Sequence, residues 1–108
     1  MYNVNDESEL HLESGVCAVK FSATWCSPCK QMEPTIEKLE SEFQNAKFIS
    51  IDIDEVPSIV QRYKIRSLPT LLIMKDGQEV NRVIVLSLIE PLRKILRDVL
   101  TDKAIVDI

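Results

Sequence analysis

The sequence predicts an α/β domain, a three-layer α/β/α sandwich around a mixed sheet of four to five strands. Three observations carry this. Short apolar, β-branched runs recur at 16–21, 47–53 and 70–74, and an apolar stripe of helical period lies between the first two. Strands that alternate with helices pair in parallel through crossover connections. A late Asp76-Gly77 pair is a hairpin signal that adds an antiparallel strand at the sheet edge. The 108 residues fit one domain, 1–108.

In chain order, residues 6–14 carry helix formers behind an acidic start, and Gly15 closes them, so a first helix is expected there. Residues 16–21, "VCAVKF", read as a buried strand. From Cys26 onward Met32, Ile36, Leu39 and Phe43 fall on one helix face, with Glu33, Glu37, Lys38, Glu40 and Glu42 on the solvated one. Pro34 interrupts this helix and is expected to kink it. "KFISIDI" (47–53) is the next strand. Pro57 opens a short helix with Ile59, Val60 and Tyr63 apolar. "TLLIM" (70–74) and "EVNRVIVL" (79–86) flank the hairpin turn. Ser87 with Glu90 three residues on forms a capping-box pattern, and Leu88, Leu92, Ile95, Leu96 and Val99 form the stripe of a last helix. Residues 102–108 read as a loose tail or a short addition.

Composition narrows the function classes. The chain has 45% hydrophobic and 28% charged residues and a net charge of -4, ordinary for a globular domain. Mild acidity without a basic cluster argues against nucleic acid or an anionic membrane as partner. No apolar stretch approaches membrane-spanning length. The N-terminus is acidic and polar, unlike a signal peptide, so a reducing cytoplasm is the expected compartment. Three cysteines there read as catalytic or incidental rather than as a disulfide framework.

Cys26 and Cys29 stand two residues apart where a buried strand gives way to a helix. The first helical turn has unpaired N–H groups and the positive end of the macrodipole. A thiolate at Cys26 is stabilised there and acquires a pKa below the free value of about 8.5. Cys29 lies close enough to resolve a mixed disulfide. Pro28 stiffens the loop and suits a helix start. Zinc sites use the same spacing but need four ligands. Only His11, Cys17, Cys26 and Cys29 could supply them, with Cys17 on a buried strand and His11 on a separate helix. No metal is therefore expected, and Cys17 reads as a core residue. Gly-rich phosphate loops are also absent, so the only expected redox group is the Cys26–Cys29 disulfide itself.

"FSATWCSPCK" (21–30) and "YKIRSLPTLLIMKDG" (63–77) together resemble the thioredoxin family, whose usual active-site form is W-C-G-P-C-K. The resemblance runs from about residue 10 to residue 100 and includes the helical Pro34. It implies a thioredoxin fold and dithiol–disulfide exchange on protein disulfides, with Cys26 and Cys29 catalytic. It implies a substrate groove formed by Trp25, Ser27, Pro28, Leu68, Pro69 and Val85, with Pro69 in cis against the sulfurs. The backbone at Leu68 would pair with an extended substrate segment. A thioredoxin reductase is the implied source of electrons, and a monomer is expected.

Four positions depart from the family pattern. Thioredoxins typically carry a buried Asp six residues before the first cysteine, and here Lys20 stands there. A lysine that often faces it on the "KFISIDI" strand is here Ser50. Lys20 and Lys30 are thus candidates for tuning thiol acidity. Lys20 is costly to bury as a charge. It could reach its ammonium to the surface, pair with Asp52 or Asp54, or lose its proton. Ser27 replaces the usual spacer glycine and bears on the reduction potential. Val85 falls where a glycine usually lets substrate approach, and its β-branched side chain would fill part of the groove.

Two functions fit these residues. One is a protein-disulfide oxidoreductase. The other is a thioredoxin-like adaptor or chaperone module with weak turnover, which the changes at Lys20 and Val85 keep open.

Overall fold

A computed structural model describes residues 1–84 and 89–101. Five strands, β1 (Tyr2–Val4), β2 (Val16–Ser22), β3 (Ala46–Asp52), β4 (Thr70–Lys75) and β5 (Gln78–Val83), form one sheet in the order β1-β3-β2-β4-β5. Three helices, α1 (Ser27–Glu42), α2 (Pro57–Arg62) and α3 (Ile89–Leu100), cover it. This is the three-layer sandwich with a mixed sheet that the element pattern predicts.

Strand alternation divides the core in two. On one face of β2, Val16 and Ala18 pack with Met32, Ile36 and Leu39 of α1 and with Leu92, Leu96 and Val99 of α3. On the other face Cys17, Val19 and Phe21 pack with Val56 and with Ile59 of α2. Lys20 follows Val16 and Ala18 in period 2, so it lies on the α1 face. The registers Asn3↔Ser50 and Lys20↔Ser50 make a polar row across β1, β3 and β2 at this level.

The expected crossover pattern needs one correction. β1, β3 and β2 are parallel, but β4 itself runs antiparallel to β2, as well as to the edge strand β5. The connection that holds the short α2 returns the chain to the sheet at the end it left. That brings Thr70 opposite Phe21, at the C-terminal end of β2.

The helix expected over 6–14 is instead a 3-10 turn at Glu7–Glu9, capped by Asp6 and closed by a capping box with Glu9. Leu10 is already extended, and Leu10 and Leu12 pack two residues apart on the α2-side core. That spacing belongs to extended chain, not to a helix. Strand β1 has no counterpart in the sequence reading. Only Val4 of its three residues is buried, too little to make a periodic signal. α1 runs through Pro34, whose missing N–H leaves the Lys30 carbonyl without its helical donor. The hairpin turn takes left-handed φ values of 50° at Asp76 and 87° at Gly77, as a type I′ turn requires. Ser87, Leu88, residues 85–86 of the expected last strand and the 102–108 tail lie outside the described residues.

Candidate active site

Strand β2 ends at Ser22, and a turn closed by the Cys26 N–H to the Ala23 carbonyl (3.1 Å) delivers Cys26 to the start of α1. Cys26 is the N-cap of that helix, with Pro28 in its first turn. Its Sγ accepts the backbone N–H of Cys29 at 3.2 Å. A disulfide joins Cys26 and Cys29, their Cα atoms 5.3 Å apart, inside the usual range for a disulfide. Each sulfur residue is almost covered, Cys26 at 5% and Cys29 at 3% exposure. Exposure thus hardly separates them.

What separates them is the cavity each one lines. Cys26 opens on a groove of about 560 Å³ shared with Trp25, Ser27, Pro28 and Leu68. Trp25 is 65% exposed, and its indole Nε1 donates to Asp54 Oδ2 at 2.9 Å, which fixes the ring beside Cys26. Leu68 packs against Ala23, Cys26 and Cys29. The Leu68–Pro69 bond is cis and Pro69 is buried. Ile53, Val60, Ile65, Arg66 and Ser67 complete the groove. Sequence reasoning did not single these out as site residues. Ile53 and Val60 read as ordinary strand-end and helix-face apolar positions. The flanks of Leu68–Pro69 were the available signal for Ile65, Arg66 and Ser67. Val85 lies outside the described residues.

Cys29 lines a different, polar cavity of about 630 Å³ that also holds Lys20, Lys30, Glu33, Ser50 and Asp52. Lys20 is 8% exposed. It forms no ion pair with Asp52 or Asp54, which corrects the carboxylate pairing considered for it. Asp54 accepts from Trp25 instead, and Asp52 accepts the Asp54 N–H at 2.9 Å. The Lys20 side chain has no hydrogen bond or ion pair among the described residues. Yet no fully covered side-chain nitrogen or oxygen there lacks a partner. Its ammonium therefore reaches water through the cavity edge, along the polar row of Asn3 and Ser50.

The remaining candidates fall outside the site. Cys17 is a free thiol at 1% exposure, and burial raises its pKa above the ordinary value. His11 is exposed, beside Glu13, and on no helix. Among the described residues no group of three or more His, Cys, Asp or Glu side chains is placed to hold a metal. No described helix is long and apolar enough to cross a membrane.

Relatives sharing this arrangement were found by sequence and by structure. The family model described as Thioredoxin matches residues 3–98. A thioredoxin of Staphylococcus aureus is 45% identical over 74 residues, 68% of this chain and 71% of that one. The crystal structure of thioredoxin from Trypanosoma brucei brucei superposes with a TM-score of 0.84 at 32% identity, covering 94% of this chain and 92% of that one. Mitochondrial thioredoxin 3 from Saccharomyces cerevisiae, in its oxidised form, superposes with a TM-score of 0.82 at 29% identity, covering 91% and 94%. A close cysteine pair at a helix start, in a chain matched along nearly its whole length, makes this protein a member of the thioredoxin family and a thiol–disulfide oxidoreductase.

Proposed function

We propose that Cys26 attacks disulfides of protein substrates and that Cys29 resolves the resulting mixed disulfide. The observation that carries this assignment is the division of the two sulfurs between cavities. Cys26 lines the open groove with Trp25 and Leu68, and Cys29 lines the polar cavity behind it. The Cys26 thiolate attacks one substrate sulfur and displaces the other as a thiolate, which takes up a proton. Cys29 then loses its proton and attacks Cys26 Sγ, releasing the second substrate thiolate. The substrate gains two electrons and the Cys26–Cys29 pair loses them.

The N-cap position of Cys26, with the Cys29 N–H aimed at its sulfur, favours the charged form of the attacking group. Lys20 and Lys30 oppose the negative charge of Glu33, Asp52 and Glu55 in the Cys29 cavity and so favour thiolate there. Trp25, Ser27 and Pro28 bound the substrate groove. The backbone at Leu68, held by the buried Pro69, pairs with an extended substrate segment.

Regeneration requires an external two-electron donor, for which a thioredoxin reductase is the fitting class, in a reducing compartment such as the cytoplasm. One chain supplies every residue named here, so a monomer suffices. The test is reduction of insulin disulfides with dithiothreitol or with thioredoxin reductase and NADPH. Turnover that disappears in Cys26→Ser is expected. No turnover with either donor would overturn the proposal.

A further inference from the structure

Next to the groove lies a second cavity, of about 280 Å³, lined by Lys64, Arg66, Ser67, Thr70, Arg82 and Ile84. Three of these six are cations and none is a carboxylate, on a chain whose net charge is -4. The cavity adjoins the exchange site: Arg66 and Ser67 line both.

Its cations do different jobs. Arg82 on β5 is fully engaged. It donates to Glu79 through Nε (2.8 Å) and Nη2 (2.9 Å), to the Tyr63 carbonyl at 2.8 Å and to the Lys64 carbonyl at 3.3 Å. Lys64 has φ 54°, a left-handed conformation uncommon for a side chain of its kind, and Arg82 holds the carbonyl on either side of that bend. The Thr70 hydroxyl donates to the Ser67 carbonyl at 2.6 Å and braces the turn into Leu68–Pro69. Arg82 and Thr70 therefore build a fixed wall. Arg66 and Lys64 stand at its mouth, exposed, and neither side chain has a hydrogen bond or ion pair among the described residues.

We propose that this cavity is a carboxylate subsite for the substrate polypeptide. It takes an Asp or Glu side chain close in sequence to the attacked cysteine. This rests on the reading that an extended substrate segment lies along Leu68. Side chains of such a segment alternate between its two sides. With the cysteine directed to Cys26, a neighbouring residue is directed across Ser67 into the basic cavity. The Arg66 guanidinium fork matches a carboxylate in two parallel bonds, and Lys64 adds a point charge. Such a contact acts mainly through encounter and binding, so it is screened by salt.

The test uses disulfide-linked peptides of one sequence, with Glu, Gln or Lys scanned through three positions on each side of the cysteine. We expect, for at least one position, a kcat/KM for the Glu peptide about fivefold or more above that for the Lys peptide at low ionic strength. The ratio should collapse in 0.5 M NaCl and invert in Arg66→Glu. The ratio is read within each protein, so a general loss of activity in the variant does not affect it. The salt arm needs no variant at all. Equal Glu and Lys rates at every position, with the Gln peptide turned over normally, would overturn the subsite and leave thiol exchange standing. Failure to reduce any peptide would overturn both.

Discussion

Trp25 and Asp54 are joined across the mouth of the groove, indole Nε1 to carboxylate Oδ2 at 2.9 Å. This contact links the residue before the attacking cysteine to the loop after β3. It orders a ring that would otherwise be free, since Trp25 is largely exposed. A hydrogen bond of this kind contributes about 0.5–1.5 kcal/mol net. We therefore expect Asp54→Ala to lower kcat/KM for insulin reduction about two- to tenfold, by the same energy expressed as a rate. Trp25 is the only tryptophan, so its emission should report the loosened ring directly. An unchanged rate with an altered emission would show that the contact orders the ring without serving the reaction.

Lys20 gives the sharpest departure from the family pattern. It is nearly buried and unpaired, yet its ammonium reaches water. Lys20→Met removes a cation from the Cys29 cavity, which disfavours thiolate. The pH profile of disulfide reduction should move toward higher pH. Stability should hold or rise, because no partner is lost and the covered lysine stem is replaced by an apolar chain. The checks are the reduction rate against pH and the urea midpoint. An unmoved profile would reduce Lys20 to a structural residue.

The two helices on the Lys20 face are clamped together by Arg93 of α3, which donates to both oxygens of Glu42 on α1 at 2.9 Å and also pairs with Glu90. The Arg93 bond holds the Glu42 carboxyl below its ordinary value of 4.5. A carboxyl depressed by folding contributes stability above its unfolded pKa and loses it as pH falls through the folded one. Glu42→Gln should thus lower the urea midpoint at neutral pH. The gap should narrow as the pH falls below 4.5. The pair is partly exposed, so the effect should be modest and should shrink in salt. A gap that persists unchanged at about pH 3 would rule out the ionic contribution.

Much of this was legible in the chain. The apolar stripe of Met32, Ile36 and Leu39 fixes α1 and its buried face. The Asp76-Gly77 dipeptide fixes the hairpin, because few other pairs accept two left-handed residues. Trp25, Ser27, Pro28 and Leu68, which belong to the two motifs, line one groove with Cys26. Other features were hidden for physical reasons. β1 buries one residue and gains its partner from β3, a long-range pairing without a local pattern. The antiparallel direction of β4 against β2 is a long-range pairing that its own apolar run does not encode. Asp54 pairs with Trp25, which is remote in the chain, a contact that only three-dimensional placement decides. The basic cavity draws Arg82 from β5 and Lys64 and Arg66 from the loop before β4. They are spread over nineteen residues of chain, Lys64 to Arg82, so no basic run marks it.

The central claim is that Cys26 attacks and Cys29 resolves. Its most direct measurement is trapping of the mixed disulfide, read by intact mass after incubation of reduced variants with a protein disulfide substrate. The account predicts that Cys29→Ser accumulates a one-to-one adduct through Cys26, and that Cys26→Ser accumulates none. An adduct carried by Cys29 in Cys26→Ser, with none in Cys29→Ser, would contradict it.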